Sequence, residues 1–311
     1  MLDRSTIWPY DESGAPREFY YSRYGSPTVA AAEEALGELE GGQALLFPSG
    51  AGATTALVLS LLQPGDTIAL AAGAYYGTGV TFSALHTWGL EHVEFDQTGA
   101  PPDGVQLVWL EAPSNPFLTM PNLEAAAAHP APVVVDSTVA TPVFLRPLEH
   151  GADYVLHSAT KYLAGHDDVL AGAVAGRDLD DLKTFRTRSG ISPAPDSAWL
   201  LSRGLKTLEL RVHRQTESAT LIAERLRGHP AVHTVRYPGI SGLISFDVDD
   251  PRRVETSTKL IVNATSLGGV TSVMESRARW EGDRVPPGLL RLSVGLEDPE
   301  ALWADLAHAL A

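Results

Sequence analysis

From Gln43 onward the chain alternates short, unbroken apolar runs with alanine-rich or amphipathic stretches. The runs fall at residues 68–71, 105–110, 133–135 and 154–156, and the stretches between them include 53–62 and 123–128. A strand that is apolar at every position is buried on both faces, and a parallel sheet covered by helices on each side offers that environment. The alternation therefore predicts an α/β fold with a mostly parallel central sheet and helices on both faces. Ligands in such folds gather at the carboxyl ends of the strands, so the residues just after each run are the place to look for chemistry.

The flanks read differently. The first 25 residues, rich in Pro, Gly, Tyr and charge, look like an irregular arm. Ser26 then offers a capping hydroxyl and Pro27 pre-sets the first helical turn, so a helix is expected until Gly41-Gly42 stops it. Beyond about residue 190 the texture changes to a long helical stretch at 197–226, mildly broken at Gly204, strands at 232–237, 243–248 and 290–294, and a closing helix at 299–310. This predicts a smaller α+β C-terminal domain. A chain of 311 residues also exceeds one typical core. The expected division is an arm and first helix (1–40), a large ligand-binding domain (41–205) and a small domain (206–311).

Composition removes several function classes. The net charge is −15 and no basic run exceeds two residues, which argues against nucleic acid. The longest apolar runs, such as 54–62, are too short to cross a bilayer, and the first residues lack the pattern of a signal peptide. No membrane partner is expected. The chain has no cysteine, which excludes disulfides, thiolate metal sites and a cysteine nucleophile, and agrees with a cytoplasmic location. Asp167-Asp168 has no second group of ligands at metal-site spacing, so no metal is assigned. His157 and His166 read as core or supporting histidines.

The chain has four lysines, and Lys183, Lys206 and Lys259 lie in helix-like or polar stretches. Lys161 instead sits just past the apolar run at 154–156, flanked by Ser158, Thr160 and Gly165. A lysine that reacts with a carbonyl needs a neutral amine, which partial burial promotes. Four other strand ends carry polar groups. Pro48-Ser49-Gly50-Ala51-Gly52 precedes a helix and is either a simple turn or an anion cradle of free amides. Tyr76-Gly77-Thr78 offers a ring that packs or stacks on a planar ligand. Glu111-Ala-Pro-Ser-Asn-Pro is a rigid turn or a loop aiming Asn115 inward. Asp136, directly after three valines, is a helix cap or a buried charge with a cationic partner.

Together these describe one pocket with a phosphate cradle, a stacking ring, a carboxylate and an amine. Pyridoxal 5′-phosphate (PLP) needs all four. On these motifs the chain resembles the Cys/Met-metabolism family of PLP enzymes, which includes cystathionine γ-synthase, cystathionine γ-lyase, cystathionine β-lyase and methionine γ-lyase. The resemblance runs from about Tyr21 to Asp298. It rests on Tyr21-Ser22-Arg23 with Pro27-Thr28, on Ser49-Gly50 and on Tyr76-Gly77. It rests also on the Glu111 motif, on Asp136-Ser-Thr with Thr141-Pro142, and on His157-Ser-Ala-Thr-Lys-Tyr-Leu-x-Gly-His-x-Asp. Arg203-Gly-Leu-Lys-Thr-Leu, Ser266-Leu-Gly-Gly and Arg291-Leu-Ser-Val-Gly-Leu-Glu-Asp follow in the same order.

The resemblance implies the PLP-dependent transferase fold of aspartate aminotransferase type (type I), and it implies roles. Lys161 would hold the cofactor's aldehyde covalently and act as base at Cα. Asp136 would keep the pyridine nitrogen protonated, and Tyr76 would stack on the ring and assist proton transfer. Ser49, Gly50, Ala51, Ser158 and Thr160 would hold the phosphate, with Tyr21 and Arg23 arriving from a neighbouring subunit. Asn115 would bond the ring hydroxyl and border the substrate. Arg291 would clamp the substrate carboxylate with a bidentate fork, with Ser266 beside it. The implied chemistry is γ- or β-elimination or replacement on sulfur-containing amino acids, in a homo-oligomer of at least two subunits and up to a tetramer.

Departures from the family pattern shape the substrate expectation. The Tyr21 motif stands unusually near the N-terminus, and Ser26 replaces the usual asparagine before Pro27. The segment after Tyr237-Pro-Gly skips a loop common in relatives. Thr265 and Thr81 occupy places where cystathionine-handling γ-enzymes carry glutamate and arginine, so the cystathionine γ-lyase- or γ-synthase-like reading is weakened and an alternative, a methionine γ-lyase-like enzyme acting on a smaller or less polar distal group as in methionine or homocysteine, is allowed. Thr78 stands where methionine γ-lyases commonly carry cysteine. The competing classes are a PLP aminotransferase, separated by whether a thiol and ammonia or a transferred amino group appears, and a catalytically inactive PLP-binding homologue, against which Lys161, Asp136 and Arg291 argue.

Overall fold

The apolar runs become the middle of a seven-stranded sheet in the computed structural model, which describes all 311 residues. Its strands are β1 (Gln43–Phe47), β2 (Thr67–Ala71), β3 (Glu91–Phe95), β4 (Leu107–Glu111), β5 (Val133–Asp136), β6 (Tyr154–His157) and β7 (Gly172–Gly176), in spatial order β1-β7-β6-β5-β4-β2-β3. The five strands β2 to β6 run parallel, and β7 is antiparallel to both its neighbours. A second sheet, in order β10-β11-β12-β9-β8, comprises β8 (Thr234–Arg236), β9 (Leu243–Asp247), β10 (Val262–Asn263), β11 (Val273–Ser276) and β12 (Leu289–Ser293).

The helices are α1 (Pro27–Glu40), α2 (Gly50–Leu61), α3 (Tyr76–Leu85), α4 (Leu123–Ala127), α5 (Thr141–Phe144), α6 (Asp180–Ser189), α7 (Pro195–Leu205), α8 (Leu208–Arg227), α9 (Pro251–Ser257), α10 (Ala278–Glu281) and α11 (Pro299–Leu310). No helix is long and apolar enough to cross a membrane. Local chemistry sets the first one as expected. The Ser26 hydroxyl accepts the Val29 amide, Pro27 sits at the first position, and Gly41 closes the helix in the left-handed region at φ 75°. At its end Glu40 pairs with His157 of β6 at 2.5 Å, both side chains fully buried.

The strands β2, β4, β5 and β6 were legible as apolar runs, and β3 and β7 were not, for physical reasons. β3 (Glu-His-Val-Glu-Phe) lies at the sheet edge and is largely exposed. β7 (Gly-Ala-Val-Ala-Gly) is built of small residues because the chain beside it comes close. A Cβ on Gly172 would stand 2.1 Å from the Ser49 carbonyl oxygen, so glycine there lets β7 meet the loop entering α2. The stretch at 197–226 is two helices, and the break falls at Lys206-Thr207 rather than Gly204. Gly204 is helical and serves packing instead. A Cβ on it would lie 2.4 Å from the Ala164 oxygen and 2.7 Å from that of Leu163.

That close approach brings α7 and α8 onto the turn that carries Lys161. Arg211 of α8 donates to the Tyr162 oxygen at 2.8 Å, the Leu163 oxygen at 3.3 Å and the Gly204 oxygen at 2.8 Å. One turn further on, Gln215 donates to the Gly269 oxygen at 2.7 Å and the Val294 oxygen at 3.1 Å. α8 therefore holds loops from both sheets. Its apolar face is shared in the same way: Val212 packs with Leu163 and Ala164, while Ala219, Ile222 and Leu226 pack with Ile244, Phe246 and Leu292 of the second sheet. The Tyr162 hydroxyl completes the junction by accepting the Gly242 amide at 3.1 Å.

Gly204→Ala should lower the melting temperature by about 3–10 °C, because overpacking a close backbone contact typically costs about 1–3 kcal/mol. Gly228→Ala, whose Cβ would meet only the Arg225 oxygen at 3.7 Å, serves as the control. Equal melting temperatures for the two variants would contradict this reading of Gly204.

Candidate active site

The carboxyl ends of β4, β5 and β6 face residues 265–267 and β12 of the second sheet across a cavity of about 460 Å³. Lys161 lies in the turn after β6, its own carbonyl accepting the Gly165 amide at 2.8 Å. Its Nζ donates to Ser266 Oγ at 2.7 Å. Burial, assisted by the positive charge of Arg291, brings the amine from 10.5 down to about 8. Ser266 has φ 92°, a left-handed backbone that is costly for a residue with a side chain. This conformation lets one residue serve two groups: its hydroxyl meets Lys161, and its carbonyl accepts Arg291 Nη2 at 3.0 Å.

Arg291 stands on β12, 4% exposed. Its Nη1 donates to Asn115 Oδ1 at 3.0 Å, and its Nη2 meets Glu275 Oε1 of the adjoining β11 at 2.6 Å. A guanidinium has only donors, so it fixes the carbonyl side of Asn115 toward itself and leaves the amide NH₂ to donate elsewhere. Burial, with Arg277 nearby, lowers the Arg291 group to about 10, which keeps it charged at neutral pH. Asn115 reaches this position from the loop after β4, whose Ala112–Pro113 and Asn115–Pro116 bonds are both cis.

Asp136 ends β5 and is buried. Burial raises its pKa, while the bonds from Thr138, including the amide at 3.0 Å to Oδ1, oppose that rise. His157, on the next strand, is committed to Glu40 rather than to this carboxylate. A buried carboxylate in this state gains from a cation supplied by a ligand. Glu111, at the end of β4, is pushed well above the ordinary carboxylate range by burial and by Asp136, and its Oε2 accepts the Tyr75 amide at 2.6 Å. Tyr76 opens α3 and lines the cavity, edge-on to Tyr75 with ring centres 5.1 Å apart.

At the other end of the cavity α2 begins at Gly50, three residues before the helix expected from the sequence. Ser49 caps it, its hydroxyl accepting the Gly52 amide at 3.0 Å. A Cβ on Gly50 would stand 3.1 Å from Ser158 Cβ, so glycine keeps the first-turn amides beside the Ser158 hydroxyl. Ser158 Oγ has no protein partner, and it lines the cavity together with Gly50 and Ala51. Thr160 also lines it, but its hydroxyl already donates to the Ala171 oxygen at 3.1 Å and accepts the Ala171 amide at 3.0 Å. A helix N-terminus with free amides and one unengaged hydroxyl is a setting for a phosphate. Cradle, aromatic wall, buried carboxylate and amine thus line one cavity and fit PLP.

Tyr21 and Arg23 do not join this cavity. Arg23 donates to the Thr187 oxygen at 3.0 Å, packs over Tyr24 at 4.9 Å, and lines a separate polar cavity with Arg4 and Ser5. Tyr75, Arg277 and Trp280 also line the cavity and Glu275 stands behind it, none of them expected from the sequence. Glu275 Oε1 accepts Arg291, Arg277 at 2.7 Å and Thr265 at 3.2 Å, and its Oε2 accepts Trp280 Nε1 at 2.9 Å. The signal was present as Glu275-x-Arg277-x-x-x-Glu281, an arginine between two glutamates where β11 passes into α10, but nothing local marks these charges as buried.

In cofactor-free protein, Lys161 should react with an amine-directed reagent with a midpoint near pH 8. Below that pH Nζ is protonated and inert, and above it the amine is neutral and nucleophilic. Arg291→Met should move the midpoint upward, since it removes a nearby positive charge. Mass-spectrometric labelling across pH reads both values, and a midpoint near that of an ordinary lysine, about 10.4, would contradict the reading.

The family model described as Cys/Met metabolism PLP-dependent enzyme matches residues 3–311. A putative cystathionine gamma-lyase of Streptomyces coelicolor is 40% identical, over 97% of this chain and 85% of that protein. An L-methionine gamma-lyase of Streptomyces avermitilis is 42% identical, over 93% of this chain and 75% of that protein. The crystal structure of metB from Corynebacterium glutamicum superimposes with a TM-score of 0.96 at 36% identity, covering 100% of this chain and 92% of that one.

Proposed function

The chain belongs to the Cys/Met-metabolism family of PLP-dependent enzymes, and we propose that it cleaves or exchanges the carbon–sulfur bond of an amino acid at the γ position, with Lys161 as its base. The observation that carries this reading is the bond from Lys161 Nζ to Ser266 Oγ at 2.7 Å, beside an Arg291 that the same serine's carbonyl holds at 3.0 Å. A base and a carboxylate-binding fork fixed by one residue define where Cα of an amino acid would sit between them.

PLP, when bound, supplies an aldehyde for the amine and a ring that withdraws electrons from Cα. The phosphate would rest on the amides of Gly50 and Ala51 and on the Ser158 hydroxyl, with Ser49 capping that helix and Thr160 bordering it. Asp136 would face the ring nitrogen, Tyr76 the ring, and the Asn115 NH₂ the ring hydroxyl. Arg291 binds the substrate's α-carboxylate, and Asn115 holds the guanidinium in plane. Nζ of Lys161, neutral above about pH 8, accepts the proton from Cα.

Residues 41–205 would then hold the cofactor, and residues 206–311 would supply Ser266 and Arg291. Tyr21 and Arg23, which lie away from their own chain's cavity, fit a role at the site of a second copy. A homo-oligomer of at least two subunits is the expected assembly.

The test is a product screen of the purified holoenzyme against cystathionine, methionine, homocysteine and O-acylhomoserines. Release of a thiol with ammonia and a 2-oxoacid, or γ-replacement by a thiol, is expected. Amino-group transfer to a keto acid with no thiol released would refute the reading. Arg291→Ala should lower kcat/KM about 100-fold while PLP absorbance is retained, because a lost charge-assisted fork acts on the substrate. An unchanged KM would remove Arg291 from that role.

A further inference from the structure

Three large side chains that line the cavity are also substantially exposed: Tyr75 at 41%, Leu170 at 65% and Trp280 at 51%. Exposed apolar side chains scattered singly are ordinary, but three around one opening form an apolar rim. Building on the reading above, we propose that Trp280 is a specificity-determining residue, one that receives a bulky apolar substituent on the substrate's sulfur and so favours a leaving thiol larger than methanethiol.

Trp280 lies in α10, and its surroundings hold it in place. Its Nε1 donates to Glu275 Oε2 at 2.9 Å, and its amide donates to the Arg277 oxygen at 3.0 Å. On either side of it in the chain, Arg279 pairs with the buried Glu255 at 2.5 Å and Glu281 pairs with Arg277 at 2.8 Å. An indole fixed at its nitrogen edge and still half exposed offers its remaining surface to a ligand at little cost in side-chain ordering.

Position relative to Arg291 places the ring within reach of a bound amino acid. Arg291 meets one oxygen of Glu275 at 2.6 Å and Trp280 the other at 2.9 Å, so the indole begins within a side chain's length of the carboxylate fork. Thr265, next to the Ser266 that holds Lys161, bonds the same carboxylate at 3.2 Å. Asp136 and Arg291 are buried while Trp280 stands at the opening, so the part of the substrate that points outward meets the ring. The walls nearby offer a polar distal group no free charge. Thr81 and Thr265 are neutral, and Arg277 turns its nitrogens to Glu275 and Glu281. An apolar substituent gives up no hydrogen bonds on entering such a rim, and it removes ring surface from water.

The experiment is calorimetric titration of the holoenzyme with L-norleucine and with its 6-phenyl derivative, sulfur-free mimics of methionine and of S-benzylhomocysteine that differ only in the terminal ring. The wild-type enzyme should bind the phenyl derivative at least about tenfold more tightly. Trp280→Ala should reduce that ratio at least about fivefold, while the affinity for norleucine, which needs Arg291 but not the rim, changes less than about twofold. If Trp280→Ala does not fold, Trp280→Phe, which keeps a smaller ring, must lower the ratio at least about twofold. A wild-type enzyme with no preference, or a ratio that survives in these variants, overturns the proposal. Absence of thiol release from every sulfur amino acid would instead defeat the function proposed above, while leaving the two affinities measurable.

Discussion

Arg211 and Gln215 on α8 are the constraint on which the site depends. Arg211 gives three of its hydrogen bonds to the backbone around the Lys161 turn and to Gly204, and Gln215 binds backbone oxygens of the second sheet's loops. Burial is strong enough to bring the Arg211 group down to about 10. Such desolvation is tolerable only where carbonyls replace water in fixed directions. In return, two loops from different sheets are set at a defined distance. The contacts that make the cavity chemically useful, Lys161 to Ser266 and Arg291 to Asn115, both cross between the sheets and have lengths of 2.7 and 3.0 Å. Neither would survive a small sliding of one sheet against the other.

Within that frame burial shifts two groups toward their uncharged forms at the places where a ligand would bring its own charge. Lys161 is pulled down and Asp136 is pushed up, each chiefly by burial. Arg291 stays charged because Glu275 and Asn115 meet it, and the left-handed Ser266 stores conformational strain between the two. A PLP enzyme acting on amino acids needs this combination: an amine able to react, a carboxylate waiting for a cation, and a permanent cation for the substrate's carboxylate. The structure reaches it through desolvation, with one glutamate keeping two arginines in place.

What the sequence made legible in the large sheet was the strands built of large apolar side chains. The strands at β2, β4, β5 and β6 announced themselves as continuous apolar runs, and Lys161, Asp136 and Asn115 stood just past them. The glycines and proline around α1 and α2 fixed their ends within a few residues. The rest was hidden because its causes are tertiary. β7 is small-residue because Ser49 comes close, Gly204 is a packing contact rather than a break, and Glu275, Arg277 and Glu281 look like surface charge until they are found neutralising one another in the interior. Thr160 was expected to hold phosphate, yet its hydroxyl is engaged with both the amide and the carbonyl of Ala171, a pairing no local pattern reveals.

The central claim is that one amine among four lysines is bonded to the cofactor. Reducing the holoenzyme with borohydride, digesting it and locating the added cofactor mass by tandem mass spectrometry tests it directly. The account predicts the mass on the peptide carrying Lys161 and on no other. Its appearance on Lys183, Lys206 or Lys259, or on none of the four, would contradict it.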